Sequence, residues 1–313
     1  MGVKFQLSVM GSESADKGSL REGTANNRSQ GEKSVEGKPE GSPEDKPEGR
    51  PPEEIIIKGK YFKSLEETGR ALCLCHGIPG EKASREGKRS EETAEGKEGE
   101  TPLAPGAGGY EHLAHKFSRA GFFTLTFNFR GTGESGGNFD LLDWTLDLGA
   151  VIDYLAGFPE IREINLMGFS GGAATALYHT ARDQRINSLI LAACPADIGF
   201  LINRDNLEET IGRLRNIGII RDPGFPRNPL EWMNRALSLR PQENIPRVSP
   251  RPVLILHGTK DELIPPEHAH GLYRAAREPR KLHLVEGAGH RLRQYDRITD
   301  LAVDWLKAVD WLN

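Results

Sequence analysis

From residue 70 onward, short apolar runs alternate with stretches in which apolar residues recur at helical spacing. "RALCLCHG" at 70–77 is a continuous apolar run of strand length, as expected of a strand covered on both faces. An amphipathic helix is predicted next over "YEHLAHKFSRAG", ended by its glycine, and then a strand over "FFTLTFNFRG". The rhythm continues with a helix over 141–157, the strand "INLMG", a helix from 171, the strands "INSLILAA" and "PVLILHG", a helix from 266, the strand "KLHLVEG" and a final helix from about 294. Strands joined by helices of this length predict right-handed crossovers and an α/β fold, with a mostly parallel twisted sheet flanked by helices. Such sheets carry their chemistry at the carboxyl ends of the strands.

Before residue 70 the pattern changes. "VKFQLSV" at 3–9 alternates apolar and polar residues as a half-buried strand does, and "EIIIKGKYF" at 54–62 reads as its antiparallel partner. Residues 11–53 then form a long insertion within a hairpin; the other reading is disorder from residue 1. Residues 11–53 and 81–101 are rich in Glu, Lys, Gly, Ser and Pro and share the near-repeats "VEGKPEG" and "AEGKEGE". Neither segment can bury enough apolar surface to offset the entropy of ordering, so both are expected to be disordered, charged insertions. The second starts directly after the loop "HGIPG", where it is expected to act as a mobile flap at the substrate entrance. Residues 197–245 are not needed by the sheet rhythm and are expected to form a small helical cap. It has two short amphipathic helices, within "NLEETIGRLRNIGII" and "NPLEWMNRALSL", joined by "RDPGFPRN". Its apolar residues Phe200, Leu201, Ile219, Ile220, Phe225, Trp232 and Met233 either line an acyl pocket or pack the cap onto the body. The whole chain, 1–313, reads as one domain.

Composition narrows the function classes. A net charge of −4 and the lack of a basic stripe interleaved with aromatics argue against nucleic acid as a partner. No run approaches the ~18 apolar residues of a membrane span, the opening is too short and polar for a secretory segment, and "MGVKFQ" lacks the hydroxyl residue of a myristoylation signal. Cys73, Cys75 and Cys194 sit inside apolar runs and read as buried reduced thiols, which places the protein in the cytoplasm. No further ligands stand at metal-binding spacing, so neither a metal nor another cofactor is expected. The oligomeric state leaves no mark in the sequence.

The residues that follow each strand carry the functional signal. They are His76-Gly77-Ile78-Pro79-Gly80, then Phe129-Arg130-Gly131-Thr132-Gly133-Glu134-Ser135, then Gly168-Phe169-Ser170-Gly171-Gly172, then His257-Gly258-Thr259-Lys260-Asp261, and last Gly287-Ala288-Gly289-His290. With 36 glycines in 313 residues, a G-x-S-x-G match alone carries little weight. Here an apolar strand feeds it and a helix leaves it, the setting of a sharp strand-to-helix turn that exposes a serine. A serine, an acid and a histidine thus arrive, in that chain order, at one sheet edge, as a serine hydrolase requires. Imidazole is suited to take and return the serine proton near neutrality, and a carboxylate on its far nitrogen fixes the tautomer. The tetrahedral oxyanion needs donors, for which the backbone N–H groups of Gly171 and Ile78 stand in the right loops.

Through "HGIPG", "FRGTGES", "GFSGG", "HGTKDELIP" and "GAGH" the chain resembles the α/β-hydrolase superfamily over residues 54–313 apart from the charged insertion. Within it the chain is most similar to small serine carboxylesterases and acyl hydrolases with a short cap. The resemblance implies Ser170 as nucleophile, His290 as general base and acid, and Asp261 as the residue orienting His290. Glu262 and Asp197 are the other acids that could serve. Arg130 and Glu134 are expected to buttress the loop under the site, and His76 and His257 to hold loops by hydrogen bonds. The expected substrate is a small-molecule ester of a hydrophobic or aryl acid in a largely apolar pocket, cleaved through an acyl-enzyme. A peptidase or thioesterase would use the same triad, and a non-catalytic binding module is the reading from another class.

Overall fold

The computed structural model describes residues 3–9, 54–64, 66, 68–80 and 109–309. The insertions expected over 11–53 and 81–101 lie outside the described residues. Eight strands form one sheet: β1 (Val3–Val9), β2 (Ile55–Phe62), β3 (Arg70–Cys75), β4 (Phe123–Phe127), β5 (Glu163–Phe169), β6 (Ile186–Ala192), β7 (Val253–Gly258) and β8 (Arg280–Val285). Their order is β1-β2-β4-β3-β5-β6-β7-β8. From β3 to β8 neighbouring strands are parallel, and β2 runs antiparallel to β4.

The start of the sheet departs from the sequence reading. β1 pairs with β2 in parallel, in the register Val3↔Ile55 to Val9↔Tyr61, so their connection is a crossover and the expected hairpin is not formed. Alternation at period two marks which residues share a face, but it is the same read in either chain direction.

The central strands are apolar on both faces because helices cover both. Cys73, Cys75 and Leu166 point into a core shared with α2 (Trp144–Ala156), α3 (Gly171–Thr180) and α7 (Glu267–Ala275). Leu72, Leu74 and Met167 point the other way, toward α1 (Tyr110–Arg119) and α8 (Asp296–Ala308). Each such buried side chain contributes about 1.5–3 kcal/mol of transfer free energy, which makes this register costly to slip. Among the described residues no helix is long and apolar enough to cross a membrane.

Between β6 and β7 the chain leaves the sheet through α4 (Leu207–Asn216), α5 (Pro229–Leu237) and α6 (Pro241–Asn244). α5 starts at Pro229 behind the cap of Asn228, whose side chain accepts the Glu231 N–H. Ile219, Ile220, Trp232 and Met233 are buried in packing, whereas Phe200 and Leu201 face the cavity described below. Polar bonds tie this excursion to the loop after β4. Phe139 N donates to Ile219 O at 2.9 Å, and the Arg221 guanidinium donates to the carbonyls of Ser135 at 2.7 Å and Gly133 at 2.8 Å.

Beneath that loop Arg130 is 2 % exposed and paired with Asp147 at 2.7 Å and Asp143 at 2.6 Å. Asp143 also pairs with Arg235 of α5, so one carboxylate joins the body to the excursion. Without Asp147 the buried guanidinium keeps only Asp143, which Arg235 shares, and breaking such a buried pair costs about 3–5 kcal/mol. Asp147→Ala is therefore expected to lower the unfolding free energy by about 3 kcal/mol. Chemical denaturation checks this, and an unchanged midpoint would contradict it.

Candidate active site

β5 ends in a turn that only small residues permit. Ser170 has φ 53° and ψ −123°, a backbone conformation that costs an L-residue roughly 1–3 kcal/mol and lifts its side chain off the strand end. The turn is held by the Ser170 N–H, which donates to Ala192 O at 2.9 Å. A Cβ on Gly168 would stand 2.5 Å from the Ala173 Cα, and one on Gly172 would strike the carbonyls of Cys75 and His76. The two glycines thus let α3 start directly against the ends of β3 and β5.

The loop after β3 lies against this turn. A Cβ on Gly77 would sit 3.1 Å from the Ser170 Cβ, and one on Gly171 would sit 2.9 Å from the Ile78 side chain. Among the described residues neither the Ile78 N–H nor the Gly171 N–H has an acceptor, and Gly171 opens a helix whose N-terminus favours negative charge. Two features fix the loop. Gly77 N donates to the Tyr110 hydroxyl at 3.1 Å, and the buried His76 ring spans to the next loop. Its Nε2 accepts the Phe129 N–H at 3.1 Å, so the proton sits on Nδ1 and is donated to Gly77 O at 2.7 Å. Burial pushes the His76 imidazole down to about 4, against the pull of the Gly77 carbonyl, and the Arg293 charge adds to the depression.

The acid and the histidine meet at the ends of β7 and β8. His290 Nδ1 lies 2.9 Å from Asp261 Oδ2. Asp261 is buried, and its Oδ1 accepts the N–H groups of Leu263 at 3.0 Å and Ile264 at 2.9 Å. His257 stands on the other side, its Nε2 2.7 Å from Ile264 O and 3.3 Å from Asp261 Oδ2. A ring nitrogen facing two acceptors must carry the proton, so His257 donates into the same carboxylate. Burial alone would raise the Asp261 carboxyl, but the bonds from His257, His290 and Ile264 outweigh it and hold it well below the usual carboxylate range. Asp261 is thus ionised wherever His290 needs it. Bonds from Thr259 N to Val285 O at 3.0 Å and from Lys260 N to Ala288 O at 2.9 Å lock the two loops together.

Ser170, His290 and Ile78 line one cavity of about 1390 Å³, bounded on the other side by Phe200, Leu201 and Leu214. Of the residues that the sequence singled out, Ser170, His290 and Ile78 line this cavity and Asp261 meets His290 behind it, while among the described residues no hydrogen bond joins Ser170 to His290. The alternative acids are elsewhere: Glu262 is exposed, and Asp197 caps its own short helix by accepting the Gly199 N–H. Arg130 buttresses the loop as expected, but Glu134 does not. It is exposed and faces the cavity, because the bend at Gly131 and Gly133, both at positive φ, turns it away from the body. The cavity is also more polar than expected, with Lys58, Asn128, Arg291 and Arg293 on its wall. The sequence reading missed Tyr110, a helix-start aromatic with no motif around it. Among the described residues no group of three or more His, Cys, Asp or Glu side chains could hold a metal ion.

His76 gives the site a pH signature. Unfolded, its imidazole protonates near its ordinary value of about 6.5, whereas folded it stays neutral down to about 4. Between these values the unfolded chain binds the extra proton, so stability falls as the pH is lowered through that window, by up to about 3 kcal/mol. Unfolding free energies measured from pH 7 to pH 4 should show this slope in the wild type and a shallower one in His76→Gln. Parallel curves would contradict it.

The sequence and the fold resemble those of known proteins. The profile of the alpha/beta hydrolase family matches residues 103–302. An uncharacterized protein of Pseudomonas aeruginosa is 26% identical over 255 residues, which span 61% of this chain and 65% of that protein. Est1E from Butyrivibrio proteoclasticus, with ferulic acid bound, aligns with a TM-score of 0.54 at 19% identity, covering 82% of this chain and 95% of that one. A thermophilic esterase from Thermogutta terrifontis, with malate bound, aligns with a TM-score of 0.52 at 20% identity, covering 82% and 94%. At such identities the two structures speak for the fold. With the profile match over more than half of its length, the chain belongs to the α/β hydrolase family.

Proposed function

We propose that the protein is a serine hydrolase that cleaves carboxylic esters through an acyl-enzyme on Ser170. One observation carries the reading: a serine raised on a strained turn shares a cavity with a histidine whose far nitrogen is held by an ionised, buried carboxylate. Because Nδ1 of His290 donates to Asp261, its Nε2 is the basic nitrogen and is free to take the Ser170 proton. The serine oxygen then attacks the ester carbonyl carbon. The carbonyl oxygen gains the negative charge and accepts hydrogen bonds from the N–H groups of Ile78 and Gly171. Their support here is that neither has another acceptor among the described residues. His290 returns the proton to the departing alkoxide, leaving the acyl group on Ser170. Water, deprotonated by His290, repeats the attack and frees the acid.

Each donor to the oxyanion lowers the barrier by about 2.7–4 kcal/mol, and both are backbone groups. Their placement therefore depends on what fixes the loops: the Tyr110 hydroxyl, the His76 ring and the glycine contacts at the turn. In this reading the helices between β6 and β7 form a cap, with Phe200 and Leu201 offering apolar surface to the substrate.

Hydrolysis of p-nitrophenyl esters of graded chain length tests the proposal. Ser170→Ala and His290→Ala are each expected to lower kcat by about 10⁴-fold or more, and Asp261→Asn by about 10⁴-fold through the wrong tautomer. Turnover that survives Ser170→Ala on every ester would contradict the assignment.

A further inference from the structure

The cavity wall next to His290 holds two guanidinium groups that form no ion pair among the described residues. Among the described residues Arg130 is matched by Asp143 and Asp147 and Arg235 by Asp140 and Asp143, while Arg213, on the same cavity wall, and Arg251 form no ion pair. Arg291 and Arg293 form no ion pair with a described carboxylate, although both line the cavity. Arg293 is half-buried, with its guanidinium carbon 5.5 Å from the Tyr110 ring centroid, whereas Arg291 is exposed at the rim, so the cost of desolvation falls on Arg293. A Cβ on Gly80 would stand 3.8 Å from Arg291 Nη2. Both cations thus lie along the 77–80 loop, the loop that carries the Ile78 N–H. The cavity's own carboxylates do not neutralise them. Glu111 is taken by Lys60 at 2.6 Å, and Glu134 and Glu209 stand exposed on the loop after β4 and on α4.

A half-buried guanidinium without an anion keeps its desolvation cost without the matching Coulomb gain, and its planar fork fits a carboxylate with two parallel N–H···O bonds. We propose that Arg291 and Arg293 form an anion subsite beside Ser170, and that the esters cleaved there carry a carboxylate. The proposal rests on the esterase reading and deepens it. It also replaces the neutral hydrophobic ester expected from the sequence with an amphiphilic one. Phe200, Leu201 and Leu263 cover the apolar part of the substrate, while the guanidiniums hold its charged end.

The test uses the full chain at low ionic strength, with two pairs of esters that differ only in charge. One pair places the charge on the acyl part, mono-p-nitrophenyl glutarate against p-nitrophenyl methyl glutarate. The other places it on the alcohol part, p-carboxyphenyl butyrate against its methyl ester. The anionic member of one pair is expected to show about tenfold or more the kcat/KM of its neutral partner, and that pair tells which part of the substrate meets the arginines. In the Arg291→Gln, Arg293→Gln double variant the ratio should fall to near one, while Arg293→Lys alone should keep part of it. Neutral members preferred in both pairs, or a ratio that survives the double variant, would overturn the subsite. If neither pair is turned over in a Ser170-dependent way, the esterase reading fails by itself. Calorimetric titration of glutarate into Ser170→Ala protein then decides the subsite: binding lost with Arg291 and Arg293 upholds it, and no binding overturns it.

Discussion

The turn from β5 into α3 is the constraint on which the rest of the site depends. Ser170 takes a backbone conformation that an isolated chain would avoid, and it is held there by contacts that leave no room for a single added carbon. Gly168 and Gly172 let the first turn of α3 press against β5 and the end of β3, which puts the Gly171 N–H beside the serine. The same closeness lets the Gly77 loop reach the Ser170 side chain. The positions of Ser170, the Gly171 N–H and the 77–80 loop are therefore products of one packing arrangement. The strain at the turn is offset by the burial of β5 on both faces, since its residues contribute to both cores.

Around the turn, polar groups do the positioning that apolar contacts cannot. Asp261 accepts from two histidines and two backbone N–H groups, so it is an ionised carboxylate with little freedom to rotate. His76 couples the loop after β3 to the loop after β4 and stays neutral because burial opposes its charge. Arg130 and Asp143 extend the chain of contacts to α5, so the excursion between β6 and β7 is tied to the loop after β4. The site is thus a set of loops whose register is fixed by hydrogen bonds at their roots and left open only at the cavity.

Most of this was legible in the sequence because parallel strands read as apolar runs and the chemistry stands just after them. Ser170, Asp261, His290, Ile78 and Gly171 all stand at or just after strand ends, and the resemblance to the α/β hydrolases singles them out among the residues there. The direction of β1 could not, since alternation specifies a face and carries no orientation. Nor could the exposure of Glu134, which depends on two glycines at positive φ and not on its own side chain. Whether an arginine meets a carboxylate is likewise a matter of tertiary distance, so Arg130, Arg291 and Arg293 look alike in the sequence and differ in the fold. Tyr110 acts through a contact to a loop 33 residues away in the chain, which no local pattern encodes.

The central claim is that Ser170 is activated by its surroundings and is not merely a serine in a turn. Treating the full chain with a fluorophosphonate and mapping the adduct by peptide mass spectrometry tests it most directly. The account predicts one phosphonylated peptide, the one containing Ser170, and labelling that slows sharply in His290→Ala. Labelling spread over other serines, or undiminished labelling at Ser170 without His290, would contradict it.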